Sequence, residues 1–337
     1  MKPGSALVVG AGIGGLATAV GLQRLGWRVR VIEQANELTE IGAGLTLSPN
    51  ANRALSWLGV AEQLAPHLSI PPYQIAEDTV TGEEKSRLVR GPTAIAQYGA
   101  PYAFVHRADL HAVLARAVAA HDPQVFLLGR TCRSASSEEQ AAVIELDDGQ
   151  RLRANLVIGA DGVRSAVRAS LLGEMPARYT GFVAWRRLLP LEAVVRDALP
   201  AGSAVTWGVG KLFVRYRLEP RRQLNIVSFA KQADWAGESW TIPADPEVPA
   251  KLFADWHPAL SALWRTPARE PCFQWGLLDR EPIAQYDYGN IALLGDAAHP
   301  MLPFLGQGAA LALEDAVILA RTLESGDDLH DSLRRYS

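Results

Sequence analysis

Residues 6–33, ALVVGAGIGGLATAVGLQRLGWRVRVIE, decide the fold. They read as strand, glycine turn, helix and strand. Residues 6–9 are a short apolar run suited to a strand buried on both faces. The turn Gly10-Ala11-Gly12-Ile13-Gly14-Gly15 is a full G-x-G-x-x-G. Gly10 allows the tight turn, Gly12 lets a pyrophosphate approach the backbone, and Gly15 lets the helix pack on the strand. Phosphates belong at the helix N-terminus, where free N–H groups and the dipole favour anions. Ile13, Leu16, Ala17 and Val20 supply the buried stripe, and Gly26 suits the end of the helix. Residues 28–32 form the second strand. Glu33 closes it, 18 residues after Gly15, where a carboxylate can accept from a ribose diol. A glycine-softened buried helix is one competing reading of this apolar stretch, and a secretory leader is another. Its glycines, and the lack of a small-residue cleavage site before Arg24, argue against it.

The chain has 337 residues, enough for a large core and two domains. It is 48% hydrophobic and 20% charged, with a net charge of −3, which is ordinary for a soluble globular protein, and a cytoplasmic location is expected. No basic run points to nucleic acid, and no uninterrupted apolar segment points to a membrane. Cys132 and Cys272 stand far apart in no metal-binding pattern and read as reduced thiols.

Outward from the fingerprint, Gly42-Ala43-Gly44-Leu45-Thr46 reads as a loop entering a strand. Asn50 or Asn52 is the expected cap of a helix over 51–58, stopped by Gly59. Residues 66–103, with recurrent prolines and a β-like run over 73–80, leave the nucleotide-binding style. A helix is expected over 109–120, strands near 125–128 and 142–146, and a helix over 164–172. Residues 156–162 form a second buried strand entering a tight turn. From 179 to 272 the chain is rich in tryptophan and β-branched residues and reads as an antiparallel domain. Residues 291–296 return to the nucleotide-binding style, followed by helices over 309–323 and 329–336. The expected division is 1–65, 104–176 and 273–337 for nucleotide binding, and 66–103 and 177–272 for substrate.

Three motifs stand in order: the Gly10–Gly15 turn, Gly159-Ala160-Asp161-Gly162-Val163-Arg164-Ser165, and Gly295-Asp296-Ala297-Ala298-His299-Pro300. With Tyr98-Gly99-Ala100-Pro101-Tyr102, His106-Arg107-Ala108-Asp109, Gly181-Phe182-Val183-Ala184-Trp185-Arg186 and Pro303-Phe304-Leu305-Gly306-Gln307-Gly308-Ala309, they make the chain resemble the single-component FAD-dependent aromatic hydroxylases, in the salicylate hydroxylase-like branch. The resemblance implies an α/β fold: a Rossmann-like FAD-binding domain with a parallel sheet, interleaved with a mainly antiparallel substrate domain. It implies FAD as the held cofactor, NADH or NADPH as a transient donor, and O2 and a small aromatic or heteroaromatic compound as co-substrates. Oxygen would be carried as a flavin C4a-hydroperoxide. Gly10, Gly12, Ile13, Gly14, Gly15, Glu33, Gln34, Gly44, Leu45, Arg107, Asp161, Gly162, Asp296, Pro303, Gly306, Gln307, Gly308 and Ala309 are its expected FAD-contacting residues. Within them, Glu33 is expected on the adenosine ribose, Arg107 near the pyrophosphate and Asp296 on ribityl or ribose hydroxyls. Residues 305–309 are expected beside the isoalloxazine at a helix N-terminus. His299 is expected to position rather than to catalyse.

Residues 211–218, KLFVRYRL, are a strand candidate. Alternation places Phe213, Arg215 and Arg217 on one face and Leu212, Val214 and Tyr216 on the other. Arg215, to pair a carboxylate or phenolate, and Tyr216 are the candidate catalytic residues, with Thr46; a solvated outer face is the competing reading of Arg215 and Arg217. Thr46 stands where one relative of the branch carries a catalytic histidine, and Pro303 lies near a functional glutamine of another, so the substrates of those two relatives are not expected here. Trp185 reads as core, with the pocket wall as its alternative. Trp240-Thr241-Ile242-Pro243 resembles half of the flavin halogenase motif, but Glu238 replaces its first tryptophan, so halogenation is not expected. Relatives usually continue past Ser337. The alternatives to a hydroxylase are an epoxidase or reductase on an apolar substrate, and a scaffold that binds FAD but is inactive through C-terminal truncation. The expected assembly is a monomer or homodimer.

Overall fold

Strand β1 (Ser5–Val9), helix α1 (Ile13–Arg24) and strand β2 (Arg28–Glu33) build the expected unit, with β1 and β2 parallel. The computed structural model describes every residue except 1, 40, 41, 196, 197, 201, 236, 238–240 and 327, so Trp240 and Glu238 lie outside the described residues. The chain continues through β3 (Gly44–Leu47), α2 (Pro49–Trp57), α3 (Ala61–Leu64), β4 (Tyr73–Glu77), β5 (Glu84–Val89) and α4 (Pro92–Tyr98). It returns with β6 (Ala103–His106), α5 (Arg107–His121), β7 (Phe126–Leu128), β8 (Cys132–Glu138), β9 (Ala141–Leu146), β10 (Arg151–Ala154), β11 (Leu156–Gly159) and α6 (Ala166–Leu172). The second layer holds β12 (Arg178–Pro190), β13 (Ser203–Gly208), β14 (Lys211–Leu218), β15 (Gln223–Lys231), β16 (Ile242–Pro243), α7 (Glu247–Leu252), α8 (Pro258–Arg265) and β17 (Phe273–Asp279). β18 (Asp287–Tyr288), β19 (Ile291–Leu293), α9 (Gly308–Ser325) and α10 (Leu329–Tyr336) close the chain.

The first sheet runs β18-β19-β11-β1-β2-β7 and is parallel except at its β18 edge. Helices α1, α5 and α9 cover one face. Their close approach rests on missing side chains: a Cβ on Gly21 would lie 3.2 Å from the Ala320 Cβ, and one on Gly14 2.7 Å from Leu294. The second sheet runs β16-β17-β12-β15-β14-β13-β4-β5 and is antiparallel apart from the β13–β4 pair. One face is closed by α7 and α8 over Phe213, Trp185, Phe253 and Trp264. The other face looks toward the nucleotide-binding layer. A ribbon of β3 and β6 reaches between the layers.

Several expectations need correction. The boundary at 272/273 falls too early, because Phe273–Asp279 pairs with β12 inside the second sheet. The helix after β3 starts at Pro49 with Ser48 as N-cap, since proline is pre-set for the first helical position. Asn52 instead donates to the Leu47 and Pro101 carbonyls. The β-run expected over 73–80 ends at Glu77, where the Asp78 carboxylate accepts from the Val80 and Thr81 amides and turns the chain. Strands β8 and β10 carry too many serines and arginines to stand out as apolar alternation, and only their pairing with β9 defines them.

Arg215 is the main correction. Alternation holds along β14, so Val214 and Tyr216 face the cavity between the layers, while Phe213 and Arg215 face the α7–α8 side. Arg215 is neither solvated nor a ring contact. It is 4% exposed, pairs with Glu77 at 2.6 Å and donates to the Ala198 carbonyl. Thr206 donates to the second Glu77 oxygen. Arg215→Ala leaves Glu77 buried and unpaired and should cost about 3–5 kcal/mol. Urea unfolding should show a lowered midpoint, and replacing both partners by apolar residues should recover most of the loss. An unchanged midpoint in the single variant would contradict the buried pair.

Candidate active site

A cavity of about 1740 Å³ opens between the two layers. Drug-sized ligands occupy pockets of roughly 300–1,000 Å³, so this one suits a dinucleotide together with a further small molecule. At the nucleotide end the glycine turn behaves as three separate devices. Gly10 has φ +100°, which only glycine adopts without strain. A Cβ on Gly15 would lie 2.0 Å from the Gly10 carbonyl oxygen, so Gly15 sits at the helix–strand contact and does not line the cavity. A Cβ on Gly12 would meet nothing within 4 Å and would project into open space. The turn therefore has a bare backbone where a pyrophosphate can approach.

Glu33 lines the cavity with its carboxylate already oriented. One oxygen accepts from the Ala11 amide and the other from the Ala35 amide, each at 2.8 Å. An ionised carboxylate keeps further lone pairs, so a ribose diol can still be accepted. His111 of α5 bonds the Ala11 carbonyl at 2.8 Å and holds the turn from the other side.

The second and third motifs meet through one residue that sequence reading did not single out. The Arg168 guanidinium donates to the Val163 carbonyl of the second motif and to the Ala297 carbonyl of the third. Asp161 accepts from the Ser165 hydroxyl and the Val167 amide, capping the approach to α6. Burial pushes the carboxyl groups of Asp161 and Asp296 upward; at Asp296 the Arg107 charge opposes that rise. Both carboxyls line the cavity, as do Arg107 and Gly162.

The ribbon brings the remaining expected residues together. Gly44, Leu45 and Thr46 of β3 line the cavity opposite the start of α9, where Pro303, Gly306, Gln307, Gly308 and Ala309 also line it. Ile13, Gly14 and Gln34 line the nucleotide end. Gly306 has φ +64°, and a Cβ there would lie 3.0 Å from the Thr46 hydroxyl. The 18-residue helix α9 presents its N-terminus and its dipole to this region. A Cβ on Gly44 would lie 2.6 Å from the Tyr216 hydroxyl, and the Gly44 amide donates to Asn225 at 3.0 Å. Tyr216 stacks on Phe104 at 3.9 Å. Its burial drives the phenol far above its ordinary value, so it remains a hydrogen-bond donor.

His299 does not line the cavity. It donates to Asp315 at 2.6 Å, and Asp315 also accepts from the Gly295 amide, so the pair ties the third motif to α9. Trp185 is fully buried on the α7–α8 side, in the core. Beyond the expected residues, Gln74, Arg90, Tyr102, Arg186 and Ser203 line the substrate end. Tyr102 and Arg186 end two of the stretches that carry the resemblance but had no role assigned to them, while Gln74, Arg90 and Ser203 escaped sequence reading because they come from separate strands and loops with no shared motif.

Residues 4–326 match the family model described as an FAD binding domain. A 6-hydroxynicotinate 3-monooxygenase of Bordetella bronchiseptica is 37% identical over 322 residues, covering 94% of this chain and 82% of that protein. A 3-hydroxybenzoate 6-hydroxylase of Klebsiella oxytoca is 37% identical, covering 98% and 82%. The crystal structure of Klebsiella pneumoniae HpxO complexed with FAD and uric acid superposes with a TM-score of 0.85 at 26% identity, over 99% of this chain and 83% of that one. The chain belongs to the FAD-dependent aromatic hydroxylase family. Its bare Gly12 backbone, oriented Glu33 and helix N-terminus fit the cofactor that the family holds.

Two outcomes follow. Gly12→Ala should leave the apoprotein's unfolding midpoint unchanged while weakening FAD binding at least about tenfold. Gly15→Ala should destabilise the apoprotein itself, by about 1–3 kcal/mol. Flavin-fluorescence titration and urea unfolding check the pair, and equal destabilisation of both apoproteins would refute the division of roles. The second outcome concerns pH. Burial pulls the His299 imidazole down, but the hydrogen bond and charge of Asp315 outweigh it and hold its titration above the ordinary value. Stability from this pair is complete below about pH 6.5 and is lost as pH rises through the raised folded value. Wild type should therefore lose more thermal stability than His299→Asn between mildly acidic and alkaline pH. Parallel profiles would remove the pair from the account.

Proposed function

We propose that this protein is a monooxygenase that uses FAD, NAD(P)H and O2 to hydroxylate a small aromatic or heteroaromatic compound. The observation that carries this reading is one continuous cavity reaching from the fingerprint turn to the open face of the second sheet. A dinucleotide and a ring can share that chamber. When bound, FAD supplies hydride acceptance from the nicotinamide and activation of oxygen. The protein supplies position, dryness and fixed dipoles. Gly12 admits the pyrophosphate, Glu33 takes the ribose, and the α9 N-terminus offers N–H groups to negative charge. Val205, Val214, Val227 and Phe229 line the substrate end and exclude water from it.

Thr46 and Tyr216 take the role of orienting the ring. The buried Tyr216 phenol acts as a donor, since burial opposes its ionisation. Among the described residues no histidine lines the cavity, and its carboxylates Glu33, Asp161 and Asp296 belong to the nucleotide end. That arrangement favours a ring whose own hydroxyl or amino group activates it. Arg90 and Arg186 at the substrate end favour such a ring over the apolar substrate of an epoxidase.

The same reading divides the chain into a discontinuous nucleotide-binding unit, residues 1–65, 104–176 and 280–337, and a substrate unit, residues 66–103 and 177–279. It takes the protein as a cytoplasmic monomer or homodimer. No helix among the described residues is long and apolar enough to cross a membrane.

FAD-loaded protein, presented with hydroxylated and aminated benzoates and pyridines, should oxidise NAD(P)H at least about tenfold faster with one of them. The product should carry one oxygen atom from labelled O2. Acceleration by none of these compounds, or acceleration yielding hydrogen peroxide alone, would overturn the reading.

A further inference from the structure

The register of the second sheet sorts the floor of the substrate end into rows. Gln74 pairs with Ser203, Ser203 with Tyr216, and Tyr216 with Asn225. These four side chains are polar, and the row runs on into Leu88 beyond Gln74 and Leu188 beyond Asn225. Two residues along each strand, Ala76, Val205, Val214 and Val227 form an apolar row, with Arg186 following Val227. A ring lying on the valines therefore has the polar row along one edge.

Arg90 follows β5 and reaches this row with its side chain, through Gln74. Its guanidinium lies 3.9 Å over the Tyr102 ring and donates to Gln74 at 2.9 Å. Gln74 is the one side-chain acceptor it has among the described residues, and no protein carboxylate pairs with it there. Its Nε is buried with no partner. Ser203, 2% exposed, has a buried hydroxyl with no partner either. A half-buried cation without a counter-charge, beside an unused hydroxyl, is costly unless a ligand completes it. Arg186 differs: its guanidinium rests by the Phe273 and Trp275 rings, at 5.7 and 5.5 Å. Arg215, the arginine that alternation had marked for this duty, is spent on Glu77.

We propose that Arg90, supported by Gln74 and Ser203, is the anion anchor of the site and holds the carboxylate of an aromatic or heteroaromatic acid while the ring lies on Val205, Val214 and Val227. This deepens the monooxygenase reading and rests on it for the identity of the ring. Arginine suits the task because its planar fork matches a carboxylate in two parallel hydrogen bonds. Tyr102, beneath the guanidinium, keeps the fork in plane.

The test is equilibrium binding without NAD(P)H. FAD-loaded protein is titrated with matched pairs, salicylate against salicylamide, 4-hydroxybenzoate against 4-hydroxybenzamide and nicotinate against nicotinamide, followed by calorimetry and flavin fluorescence. Wild type should bind at least one acid at least about tenfold more tightly than its amide. Arg90→Met should erase that preference, weakening the acid far more than the amide, and Arg90→Lys should restore part of it. Thermal unfolding confirms that each variant is folded, and Arg90→Gln serves should Arg90→Met fail. The anchor is overturned if no acid outbinds its amide, if the preference survives in the Arg90 variants, or if it disappears in Arg186→Met instead. Product analysis on whichever acid binds tests hydroxylation separately. Charge-selective binding without product would keep the anchor and discard the monooxygenase.

Discussion

A side chain is missing where the Gly10 carbonyl meets the first turn of α1, and the rest of the structure depends on that contact. With a Cβ on Gly15 the helix could not approach β1, because the atom would overlap the carbonyl at 2.0 Å. The approach sets the height of α1 above the first sheet. That height lets α9 pack on α1 through Gly14 and Gly21, which brings the start of α9 to the cavity. Gly12 in the same turn is free of this duty and is left bare toward the cavity. One hexapeptide thus separates a packing function from a binding function, because successive residues of a tight turn point in different directions.

Around this contact the three separated motifs are held by hydrogen bonds to the backbone. Arg168 spans the second and third motifs, and Asp315 spans the third motif and α9. The ribbon of β3 and β6 performs the corresponding task across the layers: the Gly44 amide is accepted by Asn225, on the open face of the second sheet. Few of these bonds involve residues that would touch a ligand. They make the cavity wall rigid, so its polar groups need little reorganisation when a charged cofactor enters.

The second sheet shows how alternation allocates chemistry. On β14 alone, Tyr216 faces the cavity and Arg215 is buried on the opposite side with Glu77. The pleat separates neighbours in sequence by the full thickness of the sheet. Residues from different strands meet instead, and Gln74, Ser203 and Tyr216 become neighbours through register although the chain writes them far apart.

By itself the sequence determined the nucleotide-binding unit, its glycine turn and Glu33, the order of the three motifs, and the two-layer plan. Those features are written in contiguous residues, with local periods and glycine positions that physics restricts tightly. It also determined which residues of β14 share a face, since alternation is local. It did not determine which face meets the cavity, so Arg215 could be nominated for a role that burial denies it. Nor did it reveal Arg168, Arg90 or Ser203, whose positions follow from strand register and loop packing between distant segments. Tertiary structure alone decided those, because the pairing of strands and the closure of one layer over another depend on the whole chain at once and leave no local pattern in any single stretch.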